Sequence, residues 1–534
     1  MSPQGRLAAA SVAALLSSAL VVSLVDGLGS SSGALAADHG GGSVIGTAAD
    51  ARAVTRESIA AGILPRQRTS TPAWHGYRHK PNVLMITADD LSVADLPYMP
   101  HVRRLLGRQG VDFTNAVAPT PICVPARASL LTGQYAHNHK DVTIHGPRGG
   151  YAAMNEAGTL PIALQRAGYD TLFVGKYLNG YGDAGTAHQV PPGWTDWRAT
   201  VGNSTYAFFS PRINHNGRLT TYHRYTTYVM RDQADEVLSA PRRQHHRWFM
   251  WLNYVAPHHG GPREADDPAV RFRGTPLASV RTTVPAPRDR HKFANLTLPD
   301  KPYLFGIPAH DEPGTAARTH AGTSRLRKAL RIAFRQRVQA AQALDRAVAS
   351  QIGTLRRTHQ LKHTIVIFGS DNGYTVGGHN VNGKLWGYDE ILRIPLLMRG
   401  PGIPRGKKVA TTITNPDLAT TILAATGATP LRRQDGVNML PWLRSPTQQR
   451  VIPIEGWAVA SGRRQVYHGI RAGHWTYLRY RDGSEELFNR ANDPDEMDSL
   501  ASEPAHRAQL MAMRALSRAY GRCAGASCPK SFYR

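Results

Sequence analysis

Two short stretches of the sequence place oxygen ligands in pairs. Asp89-Asp90 and Asp371-Asn372 each follow an apolar run. Adjacent carboxylates repel one another unless positive charge sits between them. Every ligand on offer is an oxygen, from Asp89, Asp90, Asp371 or the Asn372 amide. That donor set points to a hard cation, Ca2+ or Mg2+, and away from zinc, which prefers His and Cys. A single Asp after a strand is ordinarily a turn or helix-cap residue. Two adjacent ones, with a second pair elsewhere, form a pattern of a different kind.

Cys123 is the other chemical feature. The chain has three cysteines. Cys523 and Cys528 lie close together, and in an exported chain they are expected to form a local disulfide. Cys123 is left alone, either buried and inert or kept for its chemistry. Around it, Pro125-Ala126-Arg127-Ala128-Ser129-Leu130-Leu131 reads as a helix start, where Pro is tolerated, and Gly133 ends the helix. Cys123 then sits at or just before a helix N-terminus, where amides and the helix dipole favour an anion. Arg127 lies one turn onward. The plain alternative is a small apolar residue capping a helix.

Strands must bring these groups together. Residues 82–88 read as a fully buried strand that ends on Asp89-Asp90, and residues 364–369 repeat the design before Ser370-Asp371-Asn372. Residues 171–174 lead into Gly175-Lys176, and residues 248–255 into Ala256-Pro257-His258. Helix-like stretches, such as 160–167 and 325–355, lie between them. The alternation predicts a largely parallel sheet covered on both faces. In such sheets the ligand site lies beyond the carboxyl ends of the strands.

A chain of 534 residues, 41% hydrophobic, accommodates one large α/β domain with a smaller companion. Residues 1–36 differ from the rest. Arg6, an apolar stretch over 7–25 and Ala34-Leu35-Ala36 have the layout of a signal peptide with a small-residue cleavage site. A retained membrane anchor is the alternative. No later segment reads as a membrane span, so a secreted, extracellular protein is expected. Residues 37–80 read as an extended or disordered lead, 81–430 as the catalytic domain and 431–534 as a C-terminal subdomain. A formal net charge of +26 favours contact with polyanions, as a solvated Arg-rich surface would also give. Basic clusters occur at 281–292 and, at helical spacing, at 325–337.

The Cys123-Val124-Pro125-Ala126-Arg127 core, followed by Leu130-Leu131-Thr132-Gly133, resembles the signature of the sulfatase family, whose members carry a cysteine oxidised to formylglycine. Gly168-Tyr169-Asp170-Thr171-Leu172-Phe173-Val174-Gly175-Lys176-Tyr177-Leu178 matches a second signature of that family. The resemblance runs through Asp89-Asp90, Ser370-Asp371-Asn372-Gly373-Tyr374, Lys384 and Glu486-Leu487-Phe488-Asn489, and so from residue 82 to about residue 500. Val124 departs from the small residue usual after the cysteine.

The resemblance implies an α/β, alkaline-phosphatase-like fold: a large mixed, mostly parallel sheet flanked by helices, with a smaller C-terminal α+β subdomain. It implies that Asp89, Asp90, Asp371, Asn372 and the modified Cys123 hold Ca2+, with Mg2+ as the alternative. Arg127 and Lys176 would steady the hydrated aldehyde, while His258 and Lys384, with Lys176, would contact the sulfate oxygens. Leu178 stands where many sulfatases have a His base. His139 is the candidate substitute, with His137 and Asn179 behind it, and His379 is a candidate for the pocket rim. Lys176-Tyr177-Leu178-Asn179-Gly180-Tyr181-Gly182 and Pro191-Pro192-Gly193-Trp194 resemble the branch of N-acetylglucosamine-6-sulfatases and heparan 6-O-sulfatases.

The implied activity is sulfuric ester hydrolysis on a sulfated small molecule or glycan, with a formylglycine-generating enzyme as maturation partner and no nucleic acid. Two rivals stand beside it. One is a phosphonate monoester or phosphodiester hydrolase of the same superfamily. The other is a catalytically silent polyanion-binding protein.

Overall fold

The computed structural model describes residues 48–66, 68–72, 75–269, 280–299, 301, 324–379, 381–444, 448–459 and 462–533. The expected signal peptide lies outside them. Ten strands form the main sheet: β1 (Asn82–Asp89), β2 (Val111–Phe113), β3 (Asp170–Gly175), β4 (Asp196–Thr200), β5 (Arg212–His215), β6 (Arg218–Thr221), β7 (Trp248–Pro257), β8 (Thr364–Ser370), β9 (Leu396–Arg399) and β10 (Lys407–Val409). Their order across the sheet is β10-β2-β9-β8-β1-β7-β3-β4-β5-β6. The centre, β8-β1-β7-β3-β4, is parallel, and antiparallel pairs flank it on both sides. The sheet is mixed with a parallel middle.

The central strands are apolar at nearly every position because both faces are covered. Side chains alternate between faces. Val83 and Met85 of β1, with Ile365 and Ile367 of β8, join one core cluster with Val124, Ala128 and Leu131. Leu84, Ile86, Val366 and Phe368 join the other, with Met230, Ala234, Ala340, Leu344 and Val348. Four helices supply these partners: α1 (Cys123–Thr132) and α2 (Asn415–Thr426) on the first face, α3 (Thr226–Ser239) and α4 (Ser324–Arg357) on the second. Of the basic cluster at 325–337, Arg325, Arg327, Lys328 and Arg331 lie on the exposed face of this long helix, whereas Arg337 is buried.

A four-stranded antiparallel sheet, β11 (Ile452–Trp457), β12 (Gln465–Ala472), β13 (Trp475–Tyr480) and β14 (Glu485–Asn489), forms the C-terminal part with helix α5 (Arg507–Tyr520). The lead, expected to be extended or disordered, contains a helix. Residues Ala48–Ala60 are helical, and the turn after them buries Ile63 and Leu64 against Ile470, Tyr477, Met513 and Leu516. The helical stretch has no Pro or Gly before Gly62, so once an apolar partner is supplied nothing opposes a helix. Cys523 and Cys528 are disulfide-bonded, and Cys123 is the free cysteine.

Topology positions the polar groups. β8, β1, β7 and β3 are consecutive neighbours with matched register, Ser370 beside Ala88 and Gly175 beside Asn253. Parallel strands about 4.8 Å apart that end at one level deliver their next residues side by side. Gly175 is required there by close approach: a Cβ would stand 2.0 Å from the Asn253 carbonyl oxygen.

Candidate active site

Cys123 is the first residue of α1, after an extended Ile122, and it is buried. Its Sγ lies 3.4 Å from Asp89 Oδ1 and 2.7 Å from Lys384 Nζ. One turn on, Arg127 is fully buried and fans out to four groups. Its Nε donates to Asp371 Oδ2 at 2.9 Å, and its Nη1 donates to the carbonyls of Lys176 at 2.9 Å and Tyr177 at 2.7 Å. Its Nη2 lies 3.4 Å from Asp89 Oδ1. Arg127 thus ties the start of α1 to the ends of β1, β3 and β8.

The carboxylates of Asp89, Asp90 and Asp371 each offer an oxygen within 4.8 Å of the others. Positive side chains match them: Lys176 pairs with Asp89, Lys384 with Asp90 and Arg127 with Asp371. Asp90 has φ 65, a left-handed backbone that Asp tolerates better than most residues. Its carbonyl accepts from Arg337 of α4 at 2.5 Å. Two buried oxygens here have no hydrogen-bond donor among the described residues, Asp90 Oδ2 and Asn372 Oδ1. Buried acceptors are costly to leave unsatisfied, and two of them beside three clustered carboxylates fit an all-oxygen cation site.

Burial alone would raise the Asp89 carboxyl, yet Lys176, His258, Arg127 and Lys384 together hold it well below the ordinary range. Burial pushes the Cys123 thiol up to about 12, with Asp89 adding to the shift. The encoded thiol therefore stays protonated near neutral pH and is a weak nucleophile. Burial lowers His258 to about 4 although Asp89 and Asp90 oppose it. The His258 Nδ1 faces the His259 carbonyl at 2.7 Å, so in the neutral ring Nδ1 carries the proton. That leaves Nε2, 3.6 Å from Asp90 Oδ2, as an acceptor at the centre of the site.

The remaining candidates named from the sequence stand elsewhere. His139 is buried with Nε2 3.1 Å from Ser129 Oγ, and its Nδ1 accepts from the Asp141 amide at 3.2 Å. Its Nδ1 lone pair is therefore already used, and no hydrogen bond or ion pair among the described residues links it to Cys123, Asp89 or Asp90. His379 stacks on Tyr388 with ring centroids 3.9 Å apart. Leu178 is part of the core, and Asn179 donates to Tyr206 Oη at 3.2 Å.

His137 has a different task. Its Nδ1 faces Glu455 Oε1 at 2.5 Å and its Nε2 faces the Cys523 carbonyl at 2.7 Å. Burial opposes its charge, but Glu455 and the carbonyl raise its pKa overall. Two acceptors call for two donors, which only the imidazolium provides. A raised folded pKa means stabilisation that is complete below the unfolded value of about 6.5 and lost as pH rises through the folded value. His137→Gln is therefore expected to cost about 1.5–3 kcal/mol at pH 6 and less at pH 9. Urea unfolding at both pH values checks this, and an equal cost at each would reject the imidazolium.

Four supporting residues were not singled out by the sequence. Tyr206 lies under Lys176, with Nζ 5.0 Å from the ring centroid, and stacks on His258 at 4.8 Å. His259 approaches Asp90 and His258 closely enough to share a ligand. Arg337 also reaches Asp95 at 2.5 Å. Tyr467 of β12 donates to the Leu385 carbonyl at 2.7 Å, while the Leu385 amide donates to the Pro121 carbonyl at 3.2 Å. The loop carrying Lys384 is thus clamped between the small sheet and the segment before Cys123. Of these four, Arg337 had a usable signal: it continues the buried stripe Leu326, Ala329, Leu330, Ala333 of α4 at helical spacing.

Comparison with known proteins adds an independent line. The sulfatase family profile matches residues 81–428, and the profile of the N-sulphoglucosamine sulphohydrolase C-terminal region matches residues 377–518. An arylsulfatase of Volvox carteri is 28% identical over 508 residues, covering 84% of this chain and 76% of the relative. The N-acetylglucosamine-6-sulfatase of Homo sapiens is 32% identical over 379 residues, covering 68% of this chain and 64% of its own, so this chain spans under two thirds of that relative. The solved structure of BT4656 with its substrate D-glucosamine-2-N,6-O-disulfate has the same fold, with a TM-score of 0.66 at 18% identity, over 82% of this chain and 97% of that one.

Proposed function

The chain belongs to the sulfatase family, and from that premise we propose that it is a formylglycine-dependent sulfuric ester hydrolase acting on a sulfated glycan such as N-acetylglucosamine 6-sulfate. The observation that carries the reading is the meeting of Cys123 with three carboxylates, Arg127, Lys176 and Lys384 at the ends of four strands. The 32% identity to a human N-acetylglucosamine-6-sulfatase supports the substrate class.

A hard cation, Ca2+ with Mg2+ as the alternative, would be held by Asp89, Asp90, Asp371, Asn372 Oδ1 and the modified side chain at 123, and would acidify a hydroxyl and neutralise sulfate oxygens. Oxidised by a formylglycine-generating enzyme and hydrated, position 123 would supply two hydroxyls on one carbon: one to displace the alcohol from sulfur, the other to be deprotonated and return to the aldehyde as the C–O bond to sulfate breaks. The chain's own groups do the rest. Arg127 fixes the start of α1 against the strand ends, so position 123 keeps its aim. Lys176 and Lys384 turn from their carboxylates to the anionic oxygens of the ester. A divalent ion added to three carboxylates and three cationic side chains leaves the centre net positive, suited to an anionic substrate.

Proton transfer divides between two residues. Lys384, held charged by Asp90 despite burial, donates to the leaving oxygen. His258 offers Nε2 as the proton acceptor, taking the base role that sequence alone assigned to His139. An export signal in residues 1–36 would deliver the protein outside the cell.

Mass spectrometry of the peptide containing Cys123, joined to kinetics on sulfated sugars, aryl sulfates and aryl phosphates, tests the reading. Formylglycine at position 123 with a preference for sulfate esters is expected, and Cys123→Ala should be inactive. An intact thiol in fully active protein would overturn the mechanism. A large preference for the phosphoryl substrate would favour the phosphonate or phosphodiester reading instead.

A further inference from the structure

Three segments meet at the end of the main sheet opposite the candidate active site: residues 103–110, 356–363 and 399–408. Together they carry ten Lys or Arg residues and no Asp or Glu. Backbone packing holds them together. The Lys407 amide donates to the Gly110 carbonyl at 3.2 Å, and Arg399 Nη1 donates to the Leu105 carbonyl at 2.7 Å. A Cβ at Gly110 would stand 2.8 Å from the Arg399 Cβ, and one at Gly400 would stand 2.8 Å from the carbonyl oxygen of Thr364, directly after the second segment.

Nine of the ten cations are exposed, and Arg399 is half-buried. Burial lowers the Arg399 pKa, and Arg356 and Arg405 lower it further, so three guanidinium groups crowd one another. Elsewhere the surface interleaves its charges: Arg224 meets Asp232, Arg242 meets Asp170 and Arg335 meets Asp266. Among the described residues no carboxylate forms an ion pair with any of these ten. Asp112 of β2, opposite Lys408 of β10, feels Lys408 and Arg103, but burial raises its carboxyl. Lysines on an edge strand discourage pairing with another sheet, which accounts for Lys407 and Lys408. It does not account for Arg356 at the end of α4 or for Arg399 of β9, two strands in. Accumulated charge of one sign favours a polyanion.

The cluster is remote from the catalytic centre. Val366 pairs with Arg399 and Gly369 with Leu396, so Arg399 stands toward the start of β8, whereas Asp371 follows its end. Along α4, the path from Arg337, at Asp90, to Arg356 is about 28 Å.

We propose that this basic end of the sheet anchors a sulfated polysaccharide, apart from the catalytic centre. The choice of a sulfated polymer among polyanions rests on the sulfatase reading above. A flexible chain with sulfates at many positions meets a spread of cations without a shaped pocket. A stretch held here raises the concentration of the polymer's other sulfates at the catalytic centre. The three segments contain no Phe, Tyr or Trp, whereas single-stranded nucleic acid is held by stacked aromatic rings as well as by charge.

Heparin is the probe, titrated calorimetrically across a salt series. Arg356→Glu/Arg405→Glu reverses two exposed charges, and Arg507→Glu/Arg518→Glu makes the same change in net charge on the exposed face of α5. The first pair should weaken heparin binding about tenfold or more and flatten its salt dependence, and the second less than about twofold. The neutral pair Arg356→Gln/Arg405→Gln should give a smaller effect in the first direction. Turnover of a small aryl sulfate should stay unchanged in all three, while KM for a sulfated polysaccharide rises in the first.

Equal weakening by both reversed pairs would assign binding to net charge and reject the anchoring surface, as would heparin binding unmoved in either. Duplex DNA bound more tightly than heparin, and lost in the first pair, would give the surface to nucleic acid and reject the polysaccharide. Patch-dependent heparin binding in a protein that turns over no sulfate ester would overturn the sulfatase reading and leave the surface standing.

Discussion

Lys384→Ala is expected to lower kcat/KM for a sulfate ester by about 10²–10³, with most of the loss in kcat, as removal of one charged donor from a water-poor site does. Lys384 touches both Asp90 and Cys123, so its ammonium group sits between the proposed cation ligands and the proposed nucleophile position. In the proposed mechanism its interaction with the leaving oxygen grows as negative charge develops there, which places the loss in the transition state. Its loop has independent anchors at Pro121 and Tyr467, so truncation of the side chain should leave the backbone in place. Measuring formylglycine content at position 123 alongside the kinetics separates lost chemistry from failed maturation. A variant fully converted at 123 and within a few-fold of the parent would remove Lys384 from the mechanism.

The parts of the site that were legible from sequence share one physical origin. A buried strand must be apolar, so the point where polarity returns marks its end, and β1, β3, β7 and β8 each announce Asp89, Lys176, His258 or Asp371 in this way. Parallel pairing then brings those ends to one edge without further information. Cys123 and Arg127 were legible because both lie within one helical turn. Contacts made by packing are another matter. Tyr206 reaches His258 from a 3-10 turn after β4, and Tyr467 reaches Leu385 from the small sheet. Nothing in their local sequence states which loop lies opposite. His139 shows the converse: a histidine close to Cys123 in sequence faces Ser129 and the Asp141 amide instead. Helix α1 carries position 123 at its start and Ser129 near its end, so proximity along the chain became distance along the helix. Residues 48–60 read as a lead because their apolar partners, Met513 and Leu516 among them, lie over four hundred positions away.

Arg127→Met should destabilise the fold by about 3–5 kcal/mol, the usual result of removing one partner from a buried ion pair. Against a total stability of about 5–15 kcal/mol, that is a large share. The substitution keeps a long apolar stem but removes every donor. Asp371 Oδ2 loses its 2.9 Å partner, and the Lys176 and Tyr177 carbonyls lose theirs. These groups are buried where water is scarce, so the desolvation cost is not recovered. Arg127→Lys retains the charge without the planar fork and can reach one of the four groups at a time, so an intermediate loss is expected. Calcium gives the variant series a second reading. A bound cation restores positive charge beside Asp89 and Asp371 but donates nothing to the carbonyls. Urea unfolding with and without millimolar CaCl2 should therefore show partial rescue of Arg127→Met. An unfolding midpoint equal to that of the parent would contradict the role of Arg127 as the tie between helix and sheet. Complete rescue by calcium would assign the whole cost to the carboxylates and none to the backbone carbonyls.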